Sequence, residues 1–319
     1  MSSSSANSDI FHIKAPAGFV FWRTAFSHGW CALPPFTHDP ARRELGRIFT
    51  VRGGLAASCT MAGGRRGVRV TAAWSRTPDG SARANLADQI RTCLRMGEDF
   101  TEFYREARRH PRYRWIASSG AGRMLRSPTM FEDALKMICT TNCTWGLTTL
   151  MVSNLVSSEG KRHPAGGNAF PSPADVAGLT ESFLRKHIKA GYRAPYILEL
   201  AGRVASGSLN IESWRTSPLA TDALYEEMRT VKGIGPYAAG NLLKLTGRYD
   251  YLGLDSWVRA QYYRLRRGGR RVKDSTIERD YEKFGRWRGL FVWLEMTRDW
   301  HGDKFPPQDS PKLSEGEGV

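Results

Sequence analysis

No stretch of this 319-residue chain approaches the roughly 20 consecutive apolar residues that a membrane-crossing helix needs. The N-terminus, MSSSSANSDI, lacks the apolar core of a secretory signal. Both absences point to an intracellular protein, cytoplasmic or nucleoid-associated (nuclear in a eukaryote), with no membrane partner. Cysteine is scarce. Cys31, Cys59, Cys93, Cys139 and Cys143 form an odd, scattered set that suits a reducing compartment and no disulfide framework. Cys139 and Cys143 stand four apart with no second pair to complete a zinc or iron–sulfur site. Small buried hydrophobes on a helix are the simpler reading. His28, His38, His110, His163, His187 and His301 show no ligand spacing, and no internal repeat is present. Acidic residues are short: 31 Asp+Glu against 47 Lys+Arg leave a net charge of +16. Such a balance draws polyanions, although an anionic membrane face or a merely solvated surface satisfies it equally.

What is present divides the chain in two. Residues 11–84 read as a strand-rich N-terminal domain. Val68, Val70, Ala72 and Trp74 alternate with polar or small neighbours, and Gly53-Gly54, Gly63-Gly64 and Pro78-Asp79-Gly80 punctuate the segment. From 85 to 302 the period turns helical, beginning with Leu86, Ile90 and Leu94 on one face. Ser127-Pro128, or Thr129 with Glu132, starts a helix, and so does Ser172-Pro173. Ser275 with Glu278 is expected to cap another, and 286–300 forms the last. Residues 1–10 read as a disordered leader and 303–319 as a disordered tail. The expected fold is mainly α: a small antiparallel sheet, then an all-helical body.

The most informative segment is 228–259, MRTVKGIGPYAAGNLLKLTGRYDYLGLDSWVR. A helix over 221–231 is followed by Lys232-Gly233-Ile234-Gly235 and a second helix from Pro236 to about Thr246. Two glycines permit a tight turn that leaves the backbone close to a ligand. The second helix then aims unsatisfied amides at whatever lies above the turn, an anion site suited to a phosphate. By itself this is also a plain structural corner between helices. A short connector over 249–254 leads to Asp255 and a helix over 256–266.

Here the sequence resembles the helix-hairpin-helix DNA glycosylases. In that family a glycine-rich hairpin is followed by a connector and an essential aspartate. From Tyr237 to Asp255 is 18 positions (255 − 237), the family's interval. Leu254-Asp255-Ser256, the stretches 122–142 and 170–173, and Gly191-Tyr192-Arg193-Ala194 carry the resemblance upstream and down. It covers about 120–300 and is closest in layout to the 8-oxoguanine and alkyladenine branch. It implies the all-helical glycosylase body and base excision from double-stranded DNA whose damaged base is flipped out, by a protein that works as a monomer.

The resemblance implies roles residue by residue. Asp255 would stabilise the positive charge that builds on the sugar as the glycosidic bond breaks; an ordinary helix N-cap is the plain alternative. Gly233, Ile234, Gly235 and Tyr237 would hold DNA, with Arg259 beside them. Asn142 matches a position that contacts DNA near the vacated site, and a helix-end cap is equally open. The backbone carbonyls of Arg229, Val231 and Ile234 would hold a monovalent cation. The iron–sulfur members carry four cysteines after the last helix; this chain has none beyond Cys143, so no such cluster and no other cofactor is expected. Bifunctional members have a lysine where Tyr237 stands, and a phenol of pKa about 10 forms no imine. Lys232 lies in the turn, and Lys244 is 7 residues on (244 − 237), about 10 Å along the helix axis. Water is therefore the expected nucleophile. Trp145, Tyr192, Trp257 and Trp293 are candidates to stack on an extruded base, or ordinary core aromatics. Arg264 to Lys273, RLRRGGRRVK, would track phosphates or merely be solvated.

Overall fold

The computed structural model describes residues 7–301. The expected tail, 303–319, and the first six residues of the leader lie outside them. Five antiparallel strands come first: β1 (Ser8–Ile13), β2 (Phe36–Asp39), β3 (Glu44–Val51), β4 (Leu55–Gly64) and β5 (Gly67–Trp74), side by side in the order β1-β5-β4-β3-β2. A short helix, α1 (Phe21–Ala25), lies between β1 and β2. Val68, Val70, Ala72 and Trp74 are buried, as their alternation requires. Residues 8–10, read as leader, belong instead to β1, paired from Ser8–Ala73 to Ile13–Val68. Their polarity argued for disorder, but the ladder is made by backbone. Asp9 adds to it by accepting from Trp74 Nε1 at 3.1 Å and Arg83 Nε at 2.8 Å.

The helices follow in order: α2 (Gly80–Cys93), α3 (Thr101–Arg109), α4 (Arg114–Ser119), α5 (Met130–Thr140), α6 (Trp145–Glu159), α7 (Pro173–Ala177), α8 (Glu181–Phe183), α9 (Ala194–Ala205), α10 (Thr221–Arg229), α11 (Pro236–Thr246), α12 (Ser256–Arg267), α13 (Asp274–Glu282) and α14 (Arg288–Met296). Their ends follow local chemistry. Thr129, not Ser127, caps α5, accepting from the Glu132 amide at 3.3 Å. Ser172 and Asp175 form a reciprocal capping box on α7. The expected Ser275 cap does not form. Helix α13 starts two residues earlier than that cap would set it, with Asp274 in the first turn, where its charge complements the helix dipole. Among the described residues no helix is long and apolar enough to cross a membrane.

The sheet and helices do not separate at residue 84. One core joins the inner face of the sheet to α2, α5, α6, α9, α10 and α11. Across it Arg47 of β3 reaches Glu132 of α5 through two hydrogen bonds, 2.9 and 2.6 Å, and Lys136 Nζ closes on the same carboxylate at 2.7 Å. Burial alone would push Glu132 up, but the two cations overcome it and hold the acid at about 2. A second core, rich in aromatics, gathers α3 and α4 with α12, α13 and α14. Helix α11 belongs to the first core and α12 to the second. The connector that carries Asp255 therefore runs along the seam between them.

A candidate active site at the seam

The turn between α10 and α11 is held by buried Val231 and Ile234. Gly233 is demanded twice. Its φ is +87°, and a Cβ there would come within 2.8 Å of Tyr196 Cβ. Gly235 differs from the expectation that both glycines are needed by the turn. Its backbone is extended (φ −82°, ψ −173°), and a Cβ would meet nothing within 4 Å. The fold does not require glycine there. What its smallness does is bare the first turn of α11, which has no side-chain cap and begins with Pro236. Of the carbonyls proposed for a cation, Val231 O already accepts from Ile234 N at 3.0 Å, leaving it one lone pair.

Asp255 is the N-cap of α12. Its Oδ1 accepts from the Val258 amide at 2.7 Å. Its second oxygen has no hydrogen-bond partner among the described residues, and the side chain is half-buried. Tyr237, from the first turn of α11, lies against Thr140 at the end of α5. Burial raises its phenol pKa, the Thr140 contact lowers it, and the charge of Asp255 raises it again. Lys244 also stands in the field of Asp255. Its place two turns along α11 argued against any part in the site, but side chains lean toward a helix N-terminus. A Cβ on Gly253 of the connector would come within 2.7 Å of Lys244 Nζ. The amine is buried, lies 5.2 Å from the centre of the Trp293 ring, and is lowered to about 8 by burial against the pull of Asp255. An inward-facing lysine on an otherwise apolar helix face is the one signal of this proximity that the sequence carries.

Around this centre the rim is uneven. Asn142 is exposed, with φ +45°, and its side chain makes no hydrogen bond among the described residues. Buried Arg193, missed in the sequence, supports it from below, donating to the carbonyls of Thr141 and, at 3.3 Å, of Asn142. Trp145 and Tyr192 are exposed, whereas Trp257 and Trp293 are half-buried in a cluster with Trp300, ring centres 5.3–6.0 Å apart. Arg259 is already engaged: Asp274 accepts from its Nε at 2.8 Å and its Nη2 at 2.7 Å. In the basic run, Arg266 and Arg267 pair with Asp280, while Arg264, Arg270, Arg271 and Lys273 are exposed. All five cysteines are free, and no three His, Cys, Asp or Glu side chains among the described residues gather for a metal. A cleft of about 890 Å³, lined by arginines such as Arg91, Arg126 and Arg248, does not include Asp255.

No family sequence model and no curated protein matches this chain at a significant level. Its structure does have counterparts. The 3-methyladenine DNA-glycosylase from Archaeoglobus fulgidus superposes with a TM-score of 0.69 at 18% identity, over 91% of this chain and 97% of that one. The 8-oxoguanine glycosylase/lyase of Clostridium acetobutylicum, in its apo-form, gives 0.66 at 20% identity, over 92% and 96%. The same Clostridium enzyme in complex with double-stranded DNA gives 0.65 at 20%, over 94% and 98%. The chain shares the fold of these DNA glycosylases. The likeness extends through the N-terminal sheet, because 91–94% of this chain is matched. The sheet is thus part of this glycosylase fold, in keeping with the shared core.

Proposed function

We propose that the protein is a monofunctional DNA N-glycosylase, excising a damaged or mismatched base in repair. Asp255 is its catalytic carboxylate and water its nucleophile. The observation that carries this reading is the free oxygen of Asp255. One oxygen is fixed by the α12 amide at 2.7 Å and the other is unpartnered among the described residues, on a half-buried side chain whose charge reaches Tyr237 in the first turn of α11. A carboxylate so held needs no reorganisation to stabilise a cationic sugar. The α11 amides would take a phosphate of double-stranded DNA, which positions the duplex without reading its sequence. Asn142, Tyr192 and Trp145, all exposed, would contact the strand from which the base is flipped. The cation at the Arg229, Val231 and Ile234 carbonyls belongs to this proposal, as does action as a monomer.

Tyr237 at the position of the imine-forming lysine makes water the nucleophile. Duplexes each bearing one lesion would be incubated with the protein and assayed with and without alkali. The expected product is an intact strand with an abasic site that breaks only after alkali, and borohydride traps no protein–DNA adduct. An adduct with the unmodified protein would overturn the monofunctional mechanism. Tight DNA binding with no release from any duplex would leave a non-catalytic DNA-binding scaffold.

A further inference from the structure

Six cationic side chains are buried among the described residues: Arg47, Arg95, Arg123, Lys136, Arg193 and Lys244. The first five each donate to a carboxylate or a backbone carbonyl. Lys244 does not. Its ammonium has no hydrogen-bond acceptor among the described residues, only the Trp293 ring and the backbone of Gly253 beside it. A buried ammonium without an acceptor is costly, and such groups recur where a ligand completes them.

Its surroundings define that ligand. Asp255 faces it from the cap of α12, and Trp293 covers it from α14. From the segment before β2, His28 feels the Lys244 charge; burial first, then nearby cations including Arg95, Lys136 and Lys244, hold its ring at about 4. His28 is therefore neutral, with Nε2 2.6 Å from the Leu125 carbonyl, to which it donates. The free donor of this group is thus a cation, held beside the connector that carries Asp255.

Resting on the glycosylase reading, we infer that Lys244 is a base-binding residue that donates to an oxygen or nitrogen acceptor of the extruded base. It selects neutral, carbonyl-bearing bases, of the oxidised or deaminated kind, and disfavours N-alkylated purines, whose positive charge it repels. In the reaction the bond from C1′ to the base nitrogen breaks and its electron pair leaves with the base. The Lys244 ammonium stands beside the negative charge so created. Water supplies the oxygen that bonds to C1′, and its proton balances the departing base. A cationic base leaves as a neutral molecule and gains nothing from this.

The test uses the full chain and single-lesion duplexes carrying 8-oxoguanine, uracil, hypoxanthine or 7-methylguanine, under single-turnover conditions. The unmodified protein should release at least one of the three neutral bases, at a rate roughly 10-fold or more above 7-methylguanine. Lys244→Met should slow that release by about 10²-fold while leaving 7-methylguanine release unchanged or faster. Its melting temperature should hold or rise, since an unpaired buried charge is gone. The unmodified profile should fall above pH about 8 as the ammonium loses its proton, and that limb should be missing in the variant. Preference for 7-methylguanine, or wild-type rates in Lys244→Met, overturns the inference alone. A borohydride adduct that disappears in Lys244→Met overturns it too, by making the amine a nucleophile. Release from no duplex at all defeats the glycosylase reading beneath it.

Discussion

Two aspartates in this molecule do the same local work. Asp79 caps α2 and accepts from the Ala82 amide at 2.7 Å; Asp255 caps α12 and accepts from the Val258 amide at 2.7 Å. Both stand before the first residue of a helix in extended backbone. Their surroundings separate them. Each keeps a second oxygen without a hydrogen-bond partner among the described residues, but buried Lys244 and the Tyr237 phenol both feel the charge of Asp255. Asp79 lies on open surface, with only Ser81 for company, at 2.8 Å. A cap fixes a carboxylate, but what the carboxylate faces decides whether it has chemistry to do.

Removing the charge but not the cap gives the largest expected difference. Asparagine caps a helix about as well as aspartate. Asp255→Asn should therefore fold and bind lesion DNA much as the parent does, while base release falls by roughly 10²-fold or more. Asp79→Asn should leave release untouched. Single-turnover excision by the pair of variants decides it. Equal rates for Asp255→Asn and the parent would reduce Asp255 to a second Asp79.

Much of this was legible because it is local. Pro236 after a glycine turn set the start of α11, and Thr246-Gly247 its end. Asp255 stood where a cap belongs, and the alternation from Val68 to Trp74 marked β5. What could not be read depends on contacts across long stretches of chain. The core shared by sheet and helices depends on such contacts: Arg47 and Glu132, 85 positions apart, form one buried ion pair. Residues 8–10 were misjudged because a strand edge accepts any backbone. Lys244 was set aside by its distance along the helix axis. Only the close approach of its Nζ to Gly253 shows that the side chain reaches the connector.

The hairpin glycines sharpen the comparison with a smaller effect. Gly235 has no strain to release and open space beside it. Gly235→Asp would supply the side-chain cap that α11 lacks, so the melting temperature should hold or rise slightly. The same carboxylate would occupy the proposed phosphate site, and binding to lesion and undamaged duplexes should weaken alike, roughly 10-fold. Gly233→Ala should instead destabilise the fold, with φ +87° and Tyr196 in the way. Undiminished DNA binding by Gly235→Asp, measured by fluorescence anisotropy, would return the hairpin to a structural corner.

The smallest effect belongs to Asp79, and it is the control that gives Asp255 its meaning. The Ala82 amide, then the Ser81 hydroxyl, hold the Asp79 carboxyl below its usual range. A depressed folded-state acid adds stability above the pKa of the unfolded carboxyl and loses it as pH falls through its own folded value. Asp79→Ala should therefore lower the melting temperature slightly at neutral pH, with the gap from the parent closing as the solution becomes strongly acidic. Base release at neutral pH should be the same for both, because nothing near Asp79 faces the seam. Thermal scans across pH, run beside the excision assay, read both quantities from one preparation. If Asp79→Ala impaired release as Asp255→Asn does, loss of any helix cap would be enough to disable the protein. The contrast between a cap that only caps and one that also faces Lys244 and Tyr237 would then fail.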